Sequence, residues 1–146
     1  SKIDKRTDVA VFSSAPFSKA HHLEGFPSLE IVAYSDQESF DLCVALSIIK
    51  KENTIARQLS TGILRVSGED ANQPLKRNIE LYPLLADFEE GSSLRISIAG
   101  AAWPAIGINP GNNDHPCGSP DLECLVTTIS LDLSDSKLKI SPLISL

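Results

Sequence analysis

The sequence predicts an all-β domain, a jelly-roll β-sandwich of about eight antiparallel strands. Three observations carry this. Apolar and polar residues alternate with period two in segment after segment; Gly, Pro, Asn and Ser clusters separate the segments; and neither a long amphipathic helix nor a β-α-β rhythm is present.

The elements follow in chain order. Val9 and Val11 alternate ahead of the turn Ser13-Ser14-Ala15-Pro16. Leu29, Ile31 and Ala33 alternate with Glu30, Val32 and Tyr34. Phe40, Leu42, Val44, Leu46 and Ile48 form one apolar face, with Asp41, Cys43, Ala45 and Ser47 opposite, which is the mark of a strand with a single core face. An amphipathic helix over 41–53 is the rival reading, and the β-branched content and complete alternation favour the strand. Gly62-Ile63-Leu64-Arg65-Val66 is a further strand. Ile79, Leu81 and Leu85 suggest another, weakened at Pro83, with a turn or short helical segment over 84–91. Leu94, Ile96 and Ile98 make the next. Residues 125–133 alternate again, and Leu138 and Ile140 close the chain after the polar turn 134–137.

Length and composition narrow the function. The 146 residues suit one domain, and 42% hydrophobic content supplies a core. The net charge of −6 argues against a nucleic-acid footprint, which needs clustered Lys and Arg. Lys50-Lys51 and Lys76-Arg77 are isolated pairs, read as solvated strand ends or turns. No apolar run reaches membrane-spanning length. The chain contains no Met, which predicts a processed product or a domain excised from a larger protein. Its compartment is therefore open, with reduced cytosolic thiols as the default. Cys43 reads as a buried thiol, and Cys117 and Cys124 flank a short loop that a disulfide could close.

Familiar reaction motifs are missing. The sequence holds no Gly-x-Ser-x-Gly elbow, no HExxH, no phosphate-binding loop and no dinucleotide fingerprint, and no cofactor or metal is predicted. His21 and His22 sit in a segment read as a loop, and on an extended chain they would face opposite ways. Asp114, His115 and Ser119 contain triad residue types without local geometry to favour a triad. Residues 68–72 and 111–114 have calcium-loop composition but lack the ligand spacing, and read as surface turns. The segment that stands out is LRISIAGAAWPAIGINPGNND, residues 94–114, a strand leading into a loop with one Trp, two Pro and three Asn. Trp103, Pro104, Asn109 and Asn112 are its candidate functional residues. Pro104 and Pro110 stiffen the loop, Gly111 permits positive φ, and Asn side chains bond their own backbone. Trp103 is read as capping the sandwich core, with anchorage on a partner domain as the alternative.

This stretch resembles the C-terminal domain shared by cocaine esterase, X-Pro dipeptidyl-peptidase and related acyl hydrolases. The similar elements are Gly91, Leu94-Arg95-Ile96-Ser97, Trp103-Pro104 and Asn109-Pro110-Gly111-Asn112. Others occur in the family's order: Arg6-Thr7-Asp8-Val9 through Pro16, Gly25 through Tyr34, Ser35-Asp36 with Phe40 through Leu46, and Gly62-Ile63-Leu64-Arg65. Ala105 stands where the family often has Arg, Ile108 replaces an Arg before Asn-Pro, and Ala99-Gly100-Ala101-Ala102 replaces a serine-rich run. The resemblance implies a galactose-binding-domain-like jelly roll that is itself non-catalytic. Its implied partner is the α/β-hydrolase domain of the same polypeptide, which would carry a Ser-His-Asp triad and whose substrate cleft this domain would help to shape. Homo-oligomerisation is a further partner option. A carbohydrate-binding module is the rival function, disfavoured by the low aromatic content of 5%. An oligomerisation module is the other.

Overall fold

The computed structural model describes residues 6–114, 117–118 and 124–142, apart from the side chains of residues 53 and 54. Among these are eight strands: β1 Val9–Ser13, β2 His21–Ser35, β3 Ser39–Lys50, β4 Asn53–Ser67, β5 Leu75–Glu80, β6 Leu84–Phe88, β7 Ser93–Ala99 and β8 Ile129–Ser141. All pairings are antiparallel. One sheet has the order β1-β7-β3-β4; in the other, β2 pairs with β5 and β6 along one side and with β8. This is the predicted β-sandwich.

The number of strands agrees with the sequence reading because two errors offset each other. The segment 79–85, read as one strand, is two. The first ends at Glu80, ahead of Pro83, and the tail expected as a turn or short helical segment is strand β6. The break is stapled to the other sheet, where Tyr82 N donates to Thr61 O at 2.9 Å, and to β2, where Leu81 N donates to Pro27 O at 2.9 Å. Conversely, the two closing segments form one strand, β8. The polar stretch expected as a turn lies inside it as a bulge, where the register slips between Glu30↔Lys137 and Val32↔Asp132.

The period-two pattern places the core as expected. Phe40, Leu42 and Leu46 of β3 meet Leu29 and Ile31 of β2 and Phe88 of β6, all at most 4% exposed. Two approaches require glycine. A Cβ on Gly25, at φ 141°, would lie 2.0 Å from Ser141 O, and one on Gly62 would lie 2.2 Å from Glu80 O, where β4 crosses the end of β5.

Three readings need correction. β3 has two covered faces: outward-pointing Asp41, Cys43 and Ser47 are also buried, because long neighbours and a later loop fold over them. Lys76 is exposed, but Arg77 is buried on the inward side of β5. Its Nε donates to Ala33 O at 3.2 Å, its Nη2 to Asp70 O and Gln73 O, and its guanidinium lies 6.0 Å from the Phe40 ring centroid. It thereby gives a second donor to carbonyls around the 3-10 turn Glu69–Asn72 that already accept from Gln73 N and Leu75 N, and ties that turn to β5. Finally, His21 and His22 lie on β2 rather than in a loop.

Candidate functional site

The loop after β7 is built on a buried ion pair that the sequence reading did not find. Asp41 of β3 and Arg65 of β4 are cross-strand partners on the outward face. Arg65 binds Asp41 through both ends of its fork, Nε to Oδ1 at 2.7 Å and Nη2 to Oδ2 at 2.7 Å. The Asp41 side chain is 1% exposed. The carboxylate raises the Arg65 pKa above its ordinary value, chiefly through these hydrogen bonds. A bidentate pair of this kind fixes orientation as well as charge.

The loop closes over this pair. Arg65 Nη2 also donates to Gly107 O at 2.8 Å. Asn109 Nδ2 donates to Asp41 Oδ1 and to Ser39 Oγ, each at 2.9 Å, and its Oδ1 accepts from Gly111 N at 3.0 Å. Gly111 adopts φ 87°, as the loop reading requires. Asn112 Oδ1 accepts from Asp114 N at 3.2 Å, a second side-chain-to-backbone turn. Leu125 N then bonds Pro110 O at 2.8 Å, tying down the return of the chain. Asn109 is thus an architectural residue, and Asn112 a turn residue.

Trp103 and Pro104 have a different setting. They occupy the tip of a turn closed by Ala105 N donating to Ala102 O at 2.7 Å, and the bond between them is cis. Trp103 does not cap the core. It is 68% exposed, and the core is filled by other side chains. A large apolar ring is held out to solvent on an anchored loop.

The remaining candidates separate. Cys43 is buried, and burial, with Asp41 adding, pushes its thiol up to about 11. Cys117 and Cys124 are exposed thiols, not joined to each other. His115 and Ser119 lie outside the described residues, and Asp114 is exposed. Among the described residues no three His, Cys, Asp or Glu side chains converge as metal ligands.

A second polar cluster borders an open cleft of about 380 Å³ between the sheets. His21 stacks on Phe17 with centroids 5.0 Å apart. His22 points the other way, with Nδ1 2.6 Å from Asp87 Oδ1 and Nε2 3.6 Å from Glu24. Asp87 raises the His22 pKa, and Glu24 adds to it. A raised folded pKa contributes stability that is fully present below the unfolded histidine value of about 6.5 and is lost as pH rises through the folded value. An NMR titration of the His22 imidazole is therefore expected to show a midpoint above that value, which Asp87→Asn lowers. An unchanged midpoint in the variant would rule out Asp87 as the cause.

The chain is similar to known proteins in sequence family and in fold. Residues 1–136 match the X-Pro dipeptidyl-peptidase C-terminal non-catalytic domain family. Among solved structures, an aminopeptidase from the marine sediment archaeon Thaumarchaeota archaeon aligns over 96% of this chain, with TM-score 0.83 and 18% identity. An α-amino acid ester hydrolase aligns over 95%, with TM-score 0.84 and 19% identity. A CocE/NonD family hydrolase from Staphylococcus aureus aligns over 90%, with TM-score 0.59 and 18% identity. The chain spans 26%, 26% and 30% of these three proteins. No curated protein matches the chain.

Proposed function

Because the chain belongs to the family of X-Pro dipeptidyl-peptidase C-terminal non-catalytic domains, we propose that it is the accessory β-sandwich of a larger serine hydrolase of the esterase or dipeptidyl-peptidase type. In this reading residues 1–146 form one domain packed on an α/β-hydrolase domain of the same polypeptide. That domain supplies the nucleophile and oxyanion hole. This one supplies the Trp103-Pro104 turn as part of the substrate cleft's wall.

The observation that carries the reading is the contrast within the loop. Its base is immobilised by Arg65, Asp41 and Asn109, while its tip presents Trp103 at 68% exposure. A rigid base beneath an exposed aromatic suits docking or substrate contact, since little side-chain entropy remains to be lost. The solved proteins it resembles are hydrolases with most of their length outside the aligned region.

An antibody raised against this chain is expected to capture, from its source cells, a polypeptide much longer than 146 residues. A fluorophosphonate probe should label it at a serine outside this sequence. A captured polypeptide of 146 residues that takes no label would overturn the assignment. In the longer enzyme, Trp103→Ala is expected to raise KM for a bulky ester about 10-fold, within the range of a lost apolar contact. KM for p-nitrophenyl acetate should stay nearly unchanged. Equal changes for both esters would remove Trp103 from the cleft.

A further inference from the structure

We infer that the tip of the loop after β7 selects substrates by charge. The acyl group it meets is uncharged, carboxylate-bearing acyl groups are rejected, and Ala105 is the position that sets this preference. The inference rests on the accessory-domain reading above and names the substrate class of the same site.

The loop offers a ligand no charge. From Ala99 to Asn112 the chain holds no ionisable side chain. Trp103, Pro104 and Ala105 are exposed at its tip. Two ions reach its base, and they cancel. Arg65 donates to Gly107 O at 2.8 Å, and Asp41 accepts from Asn109 Nδ2 at 2.9 Å, yet the two ions are joined to each other by two hydrogen bonds of 2.7 Å. The Arg65 fork is therefore already occupied, and Asp41 is buried beneath the loop.

The returning chain extends this uncharged surface. Residues 125–131 carry no charged side chain. Leu125 N bonds Pro110 O at 2.8 Å, and both Leu125 and Val126 are exposed. Gln37 Nε2 donates to Val126 O at 3.2 Å, and the Asp36 carboxylate accepts from Thr128 N at 2.8 Å, so this acid is engaged by backbone.

Such a surface discriminates on elementary grounds. A carboxylate pressed against it gives up water and gains no counter-ion, which is costly, whereas an apolar group is better placed there than in water. The face of the Trp103 ring is itself the negative side of a quadrupole, and adds to the rejection of an anion. The loop cannot fetch a counter-charge by refolding. Ala105 N is bonded to Ala102 O at 2.7 Å, and the base is pinned at Gly107 and Asn109. Ala105 joins the turn through its backbone N–H, so a longer side chain at this exposed position can be introduced without breaking that bond.

The test uses the full-length enzyme and two p-nitrophenyl esters of equal chain length, the valerate and the glutarate monoester, whose acyl group ends in a carboxylate. The readout is kcat/KM for the glutarate divided by kcat/KM for the valerate. The unsubstituted enzyme is expected to favour the valerate at least ~10-fold. Ala105→Arg should raise the ratio about fivefold and Ala105→Glu should lower it by a similar factor, the effect of a unit charge some 4 Å away in water. Both shifts should shrink in 1 M salt, where the screening length is about 3 Å. Charges on the catalytic domain act alike in all three proteins, so the shifts isolate the loop. A preference of the unsubstituted enzyme for the glutarate would overturn the inference. So would a ratio that neither variant moves: if Trp103→Ala still raises KM for the bulky ester, charge selection falls and the accessory-domain reading stands. If Trp103→Ala is also without effect, the loop's place in the cleft falls with it.

Discussion

Asp41→Ala is expected to lower the unfolding free energy by about 3–5 kcal/mol, the cost of breaking a buried ion pair by removing one partner. The substitution strands the Arg65 guanidinium, whose side chain is only 21% exposed, beside a cavity. It also removes one of the two acceptors of Asn109 Nδ2, leaving Ser39 Oγ alone to hold the loop base there. Removing both charges should behave differently. Asp41→Leu combined with Arg65→Met needs no compensation for a buried ion and should recover most of the loss. Urea denaturation of the three proteins measures this. A loss under about 1 kcal/mol for Asp41→Ala would place the pair among the weak, solvent-screened bridges and undo the account of the loop.

Gly62→Ala is expected to be comparably severe, by a different route. Its Cβ would lie 2.2 Å from Glu80 O, 3.0 Å from Glu80 C and 3.1 Å from Leu81 Cα, all backbone atoms. No rotamer change can relieve such a clash, and the neighbouring Tyr82–Thr61 hydrogen bond prevents the strands from simply separating. Overpacking costs about 1–3 kcal/mol where side chains can shift. With backbone on the opposing side, the upper end of that range or outright failure to fold is expected. Gly68→Ala is the control. Gly68 has φ 83° but nothing within 4 Å of a Cβ, so only the left-handed conformation is penalised, by about 1–2 kcal/mol. If urea midpoints show the Gly68 variant to be the weaker of the two, the close approach of β4 to β5 is not a strong constraint on the fold.

These two sites also mark how far the chain can be read unaided. Gly62, Leu64 and Arg65 were legible as a motif and as a strand, yet their tasks were not. Gly62 is needed because β5 ends above it, and Arg65 because register sets it opposite Asp41. Both facts depend on residues from other strands. Of the loop candidates, Asn109 and Asn112 behave as turn chemistry predicts, since an Asn bonding two residues onward is a local event. Trp103 was misread as a core cap because hydrophobicity reports a tendency to be buried, not whether a vacancy remains to accept the ring.

What the sequence determined by itself was the local alphabet of this domain: strands, their inward faces, the all-β sandwich and the family. Each follows from period-two alternation and from the order of short motifs, both of which are properties of neighbouring residues. Only the tertiary structure decided that Pro83 divides one strand while the polar 134–137 stretch bulges within another. It alone decided that Arg77 is buried and that His22 is clamped between carboxylates. These outcomes depend on which segments meet across the sheets. A side chain's environment is set by partners tens of residues away, and alternation along one strand carries no record of them.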